Sequence, residues 1–133
     1  METRRGFLTA LVVAIPARCS AEPADWMEVN ASWYCPCDVC CGVWSRDGLR
    51  LLEPALGITA TGKPPVEGRT VAVDPDVIPL GSLVEIEGIG VRRAEDTGGA
   101  IRGKSVDIYV VDHAAARKFG RRTVRMRLIR RGR

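Results

Sequence analysis

At 133 residues the chain is the size of one domain. Apolar residues make up 46%, enough for a core, but aromatics are only 5%, so that core must be built from Val, Ile, Leu and Ala. The net charge of +4 sits largely at the ends, in Arg4, Arg5 and Arg18 and in seven arginines from Arg121 to Arg133. The middle is near neutral, and the arginine-rich end has neither interleaved aromatics nor a groove-fitting motif, which argues against a nucleic-acid partner.

The first residues read as a targeting segment. Arg4 and Arg5 give a charged start, Phe7 to Ala17 form a short apolar run, and small residues at Ser20 and Ala21 offer a cleavage point. The arginine pair followed by Phe7 and Leu8 is similar to a twin-arginine signal. The apolar run falls short of the roughly 20 residues that span a bilayer. Residues 1–21 are therefore expected to be a signal peptide, 22–30 a linker and 31–131 the folded domain. Cys19 follows Arg18 rather than a small residue, which argues against a lipid-anchored cysteine. The expected location is exported, in the periplasm, cell envelope or medium.

Val29 to Tyr34 has strand character, and Cys35 to Gly42 is a cysteine-rich turn. Val43 to Leu56 reads as a loop with one helical turn, ended by Pro54. Ile58 to Gly62 reads as a short strand entering a turn. From Arg69 the alternation becomes regular, with strands expected at Arg69–Val73, Leu83–Glu87, Val91–Glu95, Ser105–Val111 and Thr123–Ile129. Glu87 to Gly90 suits a hairpin turn. One helix is expected over His113–Phe119, capped by Asp112 and ended by Gly120. About six short strands and one helix point to a mostly β fold, a small closed barrel, since closure removes exposed edges.

Three aspartates interrupt these apolar segments: Asp74 before Pro75, Asp96 before Thr97-Gly98-Gly99, and Asp107 between Val106 and Ile108. Asp is depleted in strands because it neither packs on a pleated face nor tolerates desolvation. Each alone suits a turn cap. Together they suggest a shared carboxylate site, in which one acid is held protonated near neutral pH. Asp107 lies in the most apolar segment and is the natural acid. Asp74, fixed before Pro75, is placed to orient a substrate hydroxyl or to hold Asp107. The backbone N–H groups of Thr97, Gly98 and Gly99 can approach a substrate oxygen. Tyr34, Thr61 and Lys63 are further rim candidates for substrate contact. Glu95 is set aside, because strand alternation turns it away from Asp96.

Thr59-Ala-Thr-Gly62, Ala72-Val-Asp-Pro75, Ile78-Pro-Leu-Gly-Ser82, Glu95-Asp-Thr-Gly-Gly-Ala-Ile-Arg-Gly103 and Val106-Asp-Ile108 together resemble the three-aspartate (3D) domain family. That domain occurs in the C-terminal part of membrane-bound lytic transglycosylase A, in stationary-phase survival proteins and in proteins related to resuscitation-promoting factors. The resemblance covers roughly residues 31 to 130. It implies a six-stranded double-psi β-barrel and a peptidoglycan lytic transglycosylase. Such an enzyme cleaves the β-1,4 bond between N-acetylmuramic acid and N-acetylglucosamine and leaves a 1,6-anhydro product. It implies Asp107 as the catalytic acid and then base, with Asp74 and Asp96 as the other defining carboxylates. The implied partner is the glycan strand of peptidoglycan, met by a monomer with no membrane span and no cofactor required for catalysis.

Two other function classes compete. One is a non-catalytic wall-carbohydrate-binding barrel, for which Trp33, Tyr34, Trp44 and Tyr109 are the available aromatics. The other is a metal-bound structural module centred on Cys35, Cys37, Cys40 and Cys41. Four cysteines in an exported domain suit disulfides, with three possible pairings. They equally suit a zinc thiolate site or, at odds with the spacing, an iron–sulfur centre. A Cys–His peptidase built on His113, the only histidine, is disfavoured by the bunching of the thiols. The arginine-rich end, alternating with Val124, Met126 and Leu128, reads as a strand with a solvated basic face.

Overall fold

The computed structural model of the protein describes residues 25–41 and 58–133. Six strands and two short helices follow one another as β1 (Met27–Tyr34), α1 (Asp38–Cys41), β2 (Thr70–Val73), β3 (Leu83–Ile86), β4 (Gly90–Asp96), β5 (Ser105–Tyr109), α2 (His113–Phe119) and β6 (Arg122–Arg130). The strands close into a mixed barrel in the order β1-β5-β2-β4-β3-β6. β1 runs parallel to β5 and β2 parallel to β4; the other four pairings are antiparallel.

Period-2 alternation decides what lies inside. Val71 and Val73 of β2 face inward opposite Ile108 and Val106 of β5, and all four are buried. Val29 and Ala31 of β1, Val84 and Ile86 of β3 and Met126 of β6 complete an aliphatic core. Burying one such side chain contributes about 1.5–3 kcal/mol, so aliphatic residues suffice where aromatics are few.

The expected helix forms over the expected residues. The Asp112 carboxylate accepts from the N–H groups of Ala114 and Ala115, and Gly120 closes the last turn at φ 62°. Trp33 stacks on Phe119 with ring centroids 5.2 Å apart, which tacks α2 onto β1.

Three local expectations need correction. β1 starts at Met27, so the barrel reaches into the segment assigned to the linker. Met27 to Ala31 pair residue by residue with Met126 to Arg122, and that ladder orders them. Ile58 to Gly62 is a turn rather than a strand: the Thr59 N–H donates to the Lys63 carbonyl at 2.8 Å, and the Gly62 N–H folds back on the Thr59 carbonyl. Asp96 is the last residue of β4, not part of the glycine turn after it. A register shift between Val71 and Ala72 lets β4 keep pairing one position further. The segments read as a signal peptide, as most of the linker (residues 22–24) and as the loop of 43–56 lie outside the described residues, as do Cys19 and Trp44.

Two arginines of β6 are ion-paired at the surface. Arg125 bonds Glu87 and Arg127 bonds Glu85 across the β3–β6 pair, and both guanidinium groups lie over Trp26. No helix among the described residues is long and apolar enough to cross a membrane.

Candidate functional site

The barrel register builds a row of polar side chains. Ala72 on β2 is the Cα partner of Asp107 on β5 and also of Asp96 on β4. Asp107 is in turn the partner of Ser32 on β1. Directly opposed residues send their side chains to one face. Ser32, Asp107, Ala72 and Asp96 therefore share, across four strands, the face turned away from Val71, Val73, Val106 and Ile108. The backbones of Asp107 and Asp96 lie two strand spacings apart, roughly 10 Å. Ala72 lies buried between them.

Asp107 faces a cavity of about 290 Å³ lined by Ser32, Trp33, Tyr34, Cys40, Ala116, Gly120 and Arg121. Burial pushes its carboxyl above the ordinary range, and the charge of Asp96 adds to that push. Two groups pull the other way. The Ser32 hydroxyl donates to Oδ1 at 2.9 Å, and the Arg121 cation favours the ionised form. Among the described residues no other side chain donates to Asp107. It is a half-buried acid with a mildly stabilised conjugate base.

Asp96 is held differently. Its Oδ1 accepts from the N–H groups of Ala60 at 3.1 Å and Thr97 at 2.9 Å, and its Oδ2 accepts from the Tyr34 hydroxyl at 3.0 Å. Three donors on one carboxylate fix it as an acceptor. Burial first, and then Asp96, push the Tyr34 hydroxyl far above the usual phenol range, so it stays a donor. Tyr34 lines the cavity, and Asp96 stands behind it.

Asp74 stands apart. Its oxygens accept from the N–H groups of Asp76 at 3.1 Å and Gly103 at 2.7 Å. These bonds hold its carboxyl below the ordinary range. It caps the turn after β2 and ties the 103 loop to it; its described hydrogen bonds go to backbone and not to Asp107. Glu95 points away from Asp96 as expected and is buried against Thr70 at 2.8 Å and Arg69 at 3.0 Å.

Of the expected substrate contacts, only Tyr34 lines the cavity. The Thr97 N–H is committed to Asp96. The Thr61 hydroxyl meets that of Thr59 at 2.9 Å. Gly98 accepts from the Ile101 N–H, closing its own turn. Gly99 and Lys63 are exposed. Sequence reasoning passed over Ser32 and Arg121, and named Trp33 only as an aromatic of the wall-binding alternative. Ser32 was findable as the residue two before Tyr34 on the same strand face. Arg121 was hidden within a basic run that reads as one solvated face.

The cysteines do not act as a set of four. The thiols of Cys35, Cys37 and Cys40 converge with the His113 ring, all four ligand atoms lying within 4.8 Å of one another. The Cys41 thiol instead donates to the Cys35 carbonyl at 3.1 Å. Among the described residues, Cys35, Cys37, Cys40 and Cys41 are placed without a disulfide bond.

Residues 69–130 match the 3D domain family. Over 77 residues the chain is 46% identical to the cell wall-binding protein YocH of Bacillus subtilis (strain 168), an overlap of 55% of this chain and 26% of YocH. It is 42% identical over 76 residues to the putative cell wall shaping protein YabE of the same organism, covering 55% of this chain and 19% of YabE. The overlap thus spans about a quarter or less of these relatives' length. Among solved structures, the lytic transglycosylase MltA from Escherichia coli superimposes with a TM-score of 0.47 at 27% identity, over 57% of this chain and 28% of MltA.

Proposed function

We propose that this chain, which carries a 3D domain over residues 69–130, is a cell-envelope enzyme that cleaves peptidoglycan glycan strands as a lytic transglycosylase, with Asp107 as its single acid–base group. The observation that carries the reading is the inequality of the two carboxyls on the row. Asp107 faces the cavity and is biased toward its protonated form by burial. Asp96 does not line the cavity and is held by three donors.

That inequality supports one reaction type over the other. Hydrolysis uses two working carboxyls, one to protonate the leaving oxygen and one to attack or to activate water. With Asp107 as the one carboxyl on the cavity, a nucleophile supplied by the sugar itself suits the site. Asp107 gives its proton to the glycosidic oxygen as the C1–O bond breaks. The C6 hydroxyl of the same muramyl residue then forms the new bond to C1, and its proton returns to Asp107. No water is consumed and the acid is regenerated. A group that serves first as acid and then as base works best with both forms within reach. Burial supplies the first, and Ser32 and Arg121 supply the second. Tyr34 and Trp33 line the cavity that would receive the sugar.

A second reading is a wall-binding module without turnover, favoured by the naming of YocH as a cell wall-binding protein. Incubation with purified peptidoglycan and mass analysis of the soluble fragments separates the two. Anhydromuramyl ends support the transglycosylase. Reducing ends point to hydrolysis, and retention on the wall without fragments points to binding alone.

A further inference from the structure

We propose that Cys35, Cys37, Cys40 and His113 form a tetrahedral Cys3His site for one zinc ion, which locks the wall of the Asp107 cavity. The inference is independent of the enzymatic reading, because it rests on other atoms.

The first ground is convergence. His113 Nδ1 lies 3.5 Å from the Cys35 sulfur, 3.2 Å from Cys37 and 3.5 Å from Cys40. One imidazole nitrogen has one proton or one lone pair to share, so hydrogen bonding accounts for one of these neighbours and not for three. A cation between them accounts for all three. The second ground is edge length. With Zn–S near 2.3 Å and Zn–N near 2.0–2.1 Å, a tetrahedron has S···S edges of about 3.8 Å and N···S edges of about 3.5 Å. Cys35 and Cys40 are 3.7 Å apart, and the nitrogen edges agree; Cys35 and Cys37, at 3.0 Å, are closer than the ideal edge.

Local folding explains why these residues meet. Cys35 directly follows β1, whose last carbonyl, on Tyr34, accepts from the Val110 N–H at 2.9 Å. The Cys37 carbonyl accepts from the N–H groups of Cys40 and Cys41, so the chain turns back and returns Cys40 over Cys37. The Asp112 cap sets the first turn of α2 and with it His113. The ligands thus bring together the end of β1, the turn after it and the start of α2. His113 is the chain's only histidine, so no other imidazole competes for the position.

Four protein ligands leave no open position, which is the pattern of a structural site rather than a catalytic one. Its effect is mechanical. Cys40 from the turn, and Ala116, Gly120 and Arg121 on or just beyond α2, all line the cavity. A metal joining His113 to Cys35, Cys37 and Cys40 fixes that wall against β1. Cys41 lies outside the set, its sulfur turned to a backbone carbonyl.

The test is the metal content of the full chain purified under reducing conditions, with titration by zinc alone and by cobalt(II) alone. We expect one equivalent bound. The cobalt form should show the intense visible bands of a tetrahedral centre and a thiolate charge-transfer band scaling to three sulfurs. Cys41→Ser should keep full stoichiometry, while His113→Ala and Cys37→Ser should each lose at least tenfold in affinity. Failure to take up either ion overturns the proposal, as does an intact mass short of two hydrogens, the mark of a disulfide. Metal retained in His113→Ala but lost in Cys41→Ser overturns the ligand set. If a variant fails to fold, the cobalt spectrum of the unmodified chain decides: four sulfurs, or an octahedral spectrum, count against Cys3His.

Discussion

The Tyr34 hydroxyl donates to Oδ2 of Asp96 at 3.0 Å, across 62 positions of sequence. This bond couples the cavity wall to the carboxylate behind it, and it lies over the strand that carries Ala72. Tyr34→Phe deletes the donor and leaves Asp96 with two backbone N–H groups. The expected cost is about 1.5–3 kcal/mol, the worth of a hydrogen bond to a charged group. Thermal unfolding measures it. A change below a few tenths of a kcal/mol would mean that solvent replaces the hydroxyl and that Asp96 is not held from this side.

Asp107→Asn should end fragment release and at the same time stabilise the fold on the alkaline side of the Asp107 pKa. The sign follows from the raised carboxyl. A group whose folded pKa exceeds its unfolded value contributes stability below the unfolded pKa and loses it as pH rises through the folded one. Above the folded pKa the native state carries a half-buried charge that Asn removes, while the Asn oxygen still accepts from Ser32. Melting curves of the two proteins should separate above that pKa and converge on acidification. An Asn variant that still releases anhydromuramyl fragments removes Asp107 from the acid's role.

If Asp107 is the acid proposed above, Arg121 sets where the activity falls off. The free protein must then hold Asp107 protonated, so the rate declines as pH rises through that pKa. The Arg121 cation lowers the value, and taking it away moves it up. In Arg121→Gln the alkaline limb of the kcat/KM profile should shift to higher pH, with a smaller shift in high salt. A limb that stays in place assigns the ionisation to another group.

Asp74 should behave as framework. Its carboxyl is depressed by the N–H groups of Gly103 and Asp76, so its contribution is present above the unfolded carboxylate pKa and is lost as pH falls through the folded one. Asp74→Ala should lower the melting temperature at pH 7, with the deficit shrinking on acidification. Anhydromuramyl product should still form at a temperature where the variant is folded. Loss of turnover with unchanged melting would return Asp74 to the chemistry.

The barrel was legible because Val, Ile and Leu alternate with polar residues over five of its strands, and alternation is a local signal. The α2 boundaries were legible for the same reason, through Asp112 and Gly120. The pairing of Asp96 with Ala72 was not. It depends on a one-residue bulge at Val71 and Ala72 that no local pattern announces. The separation of Asp74 from the other two carboxyls was hidden likewise, since its partner Gly103 lies 29 residues away. His113 could be placed on a helix but not opposite the thiols, because its meeting with Cys37 spans 76 positions.

β1 pairs only with β5 and β6, the last two strands of the chain. The segment that supplies Ser32 and Tyr34 has no hydrogen-bonding neighbour in the barrel until residues beyond 100 are available. Assembly is therefore late and cooperative rather than progressive, with many long loops closed at once. A chain clipped before β6 forfeits both edges of the closure, and with them the pocket, however intact its three aspartates remain.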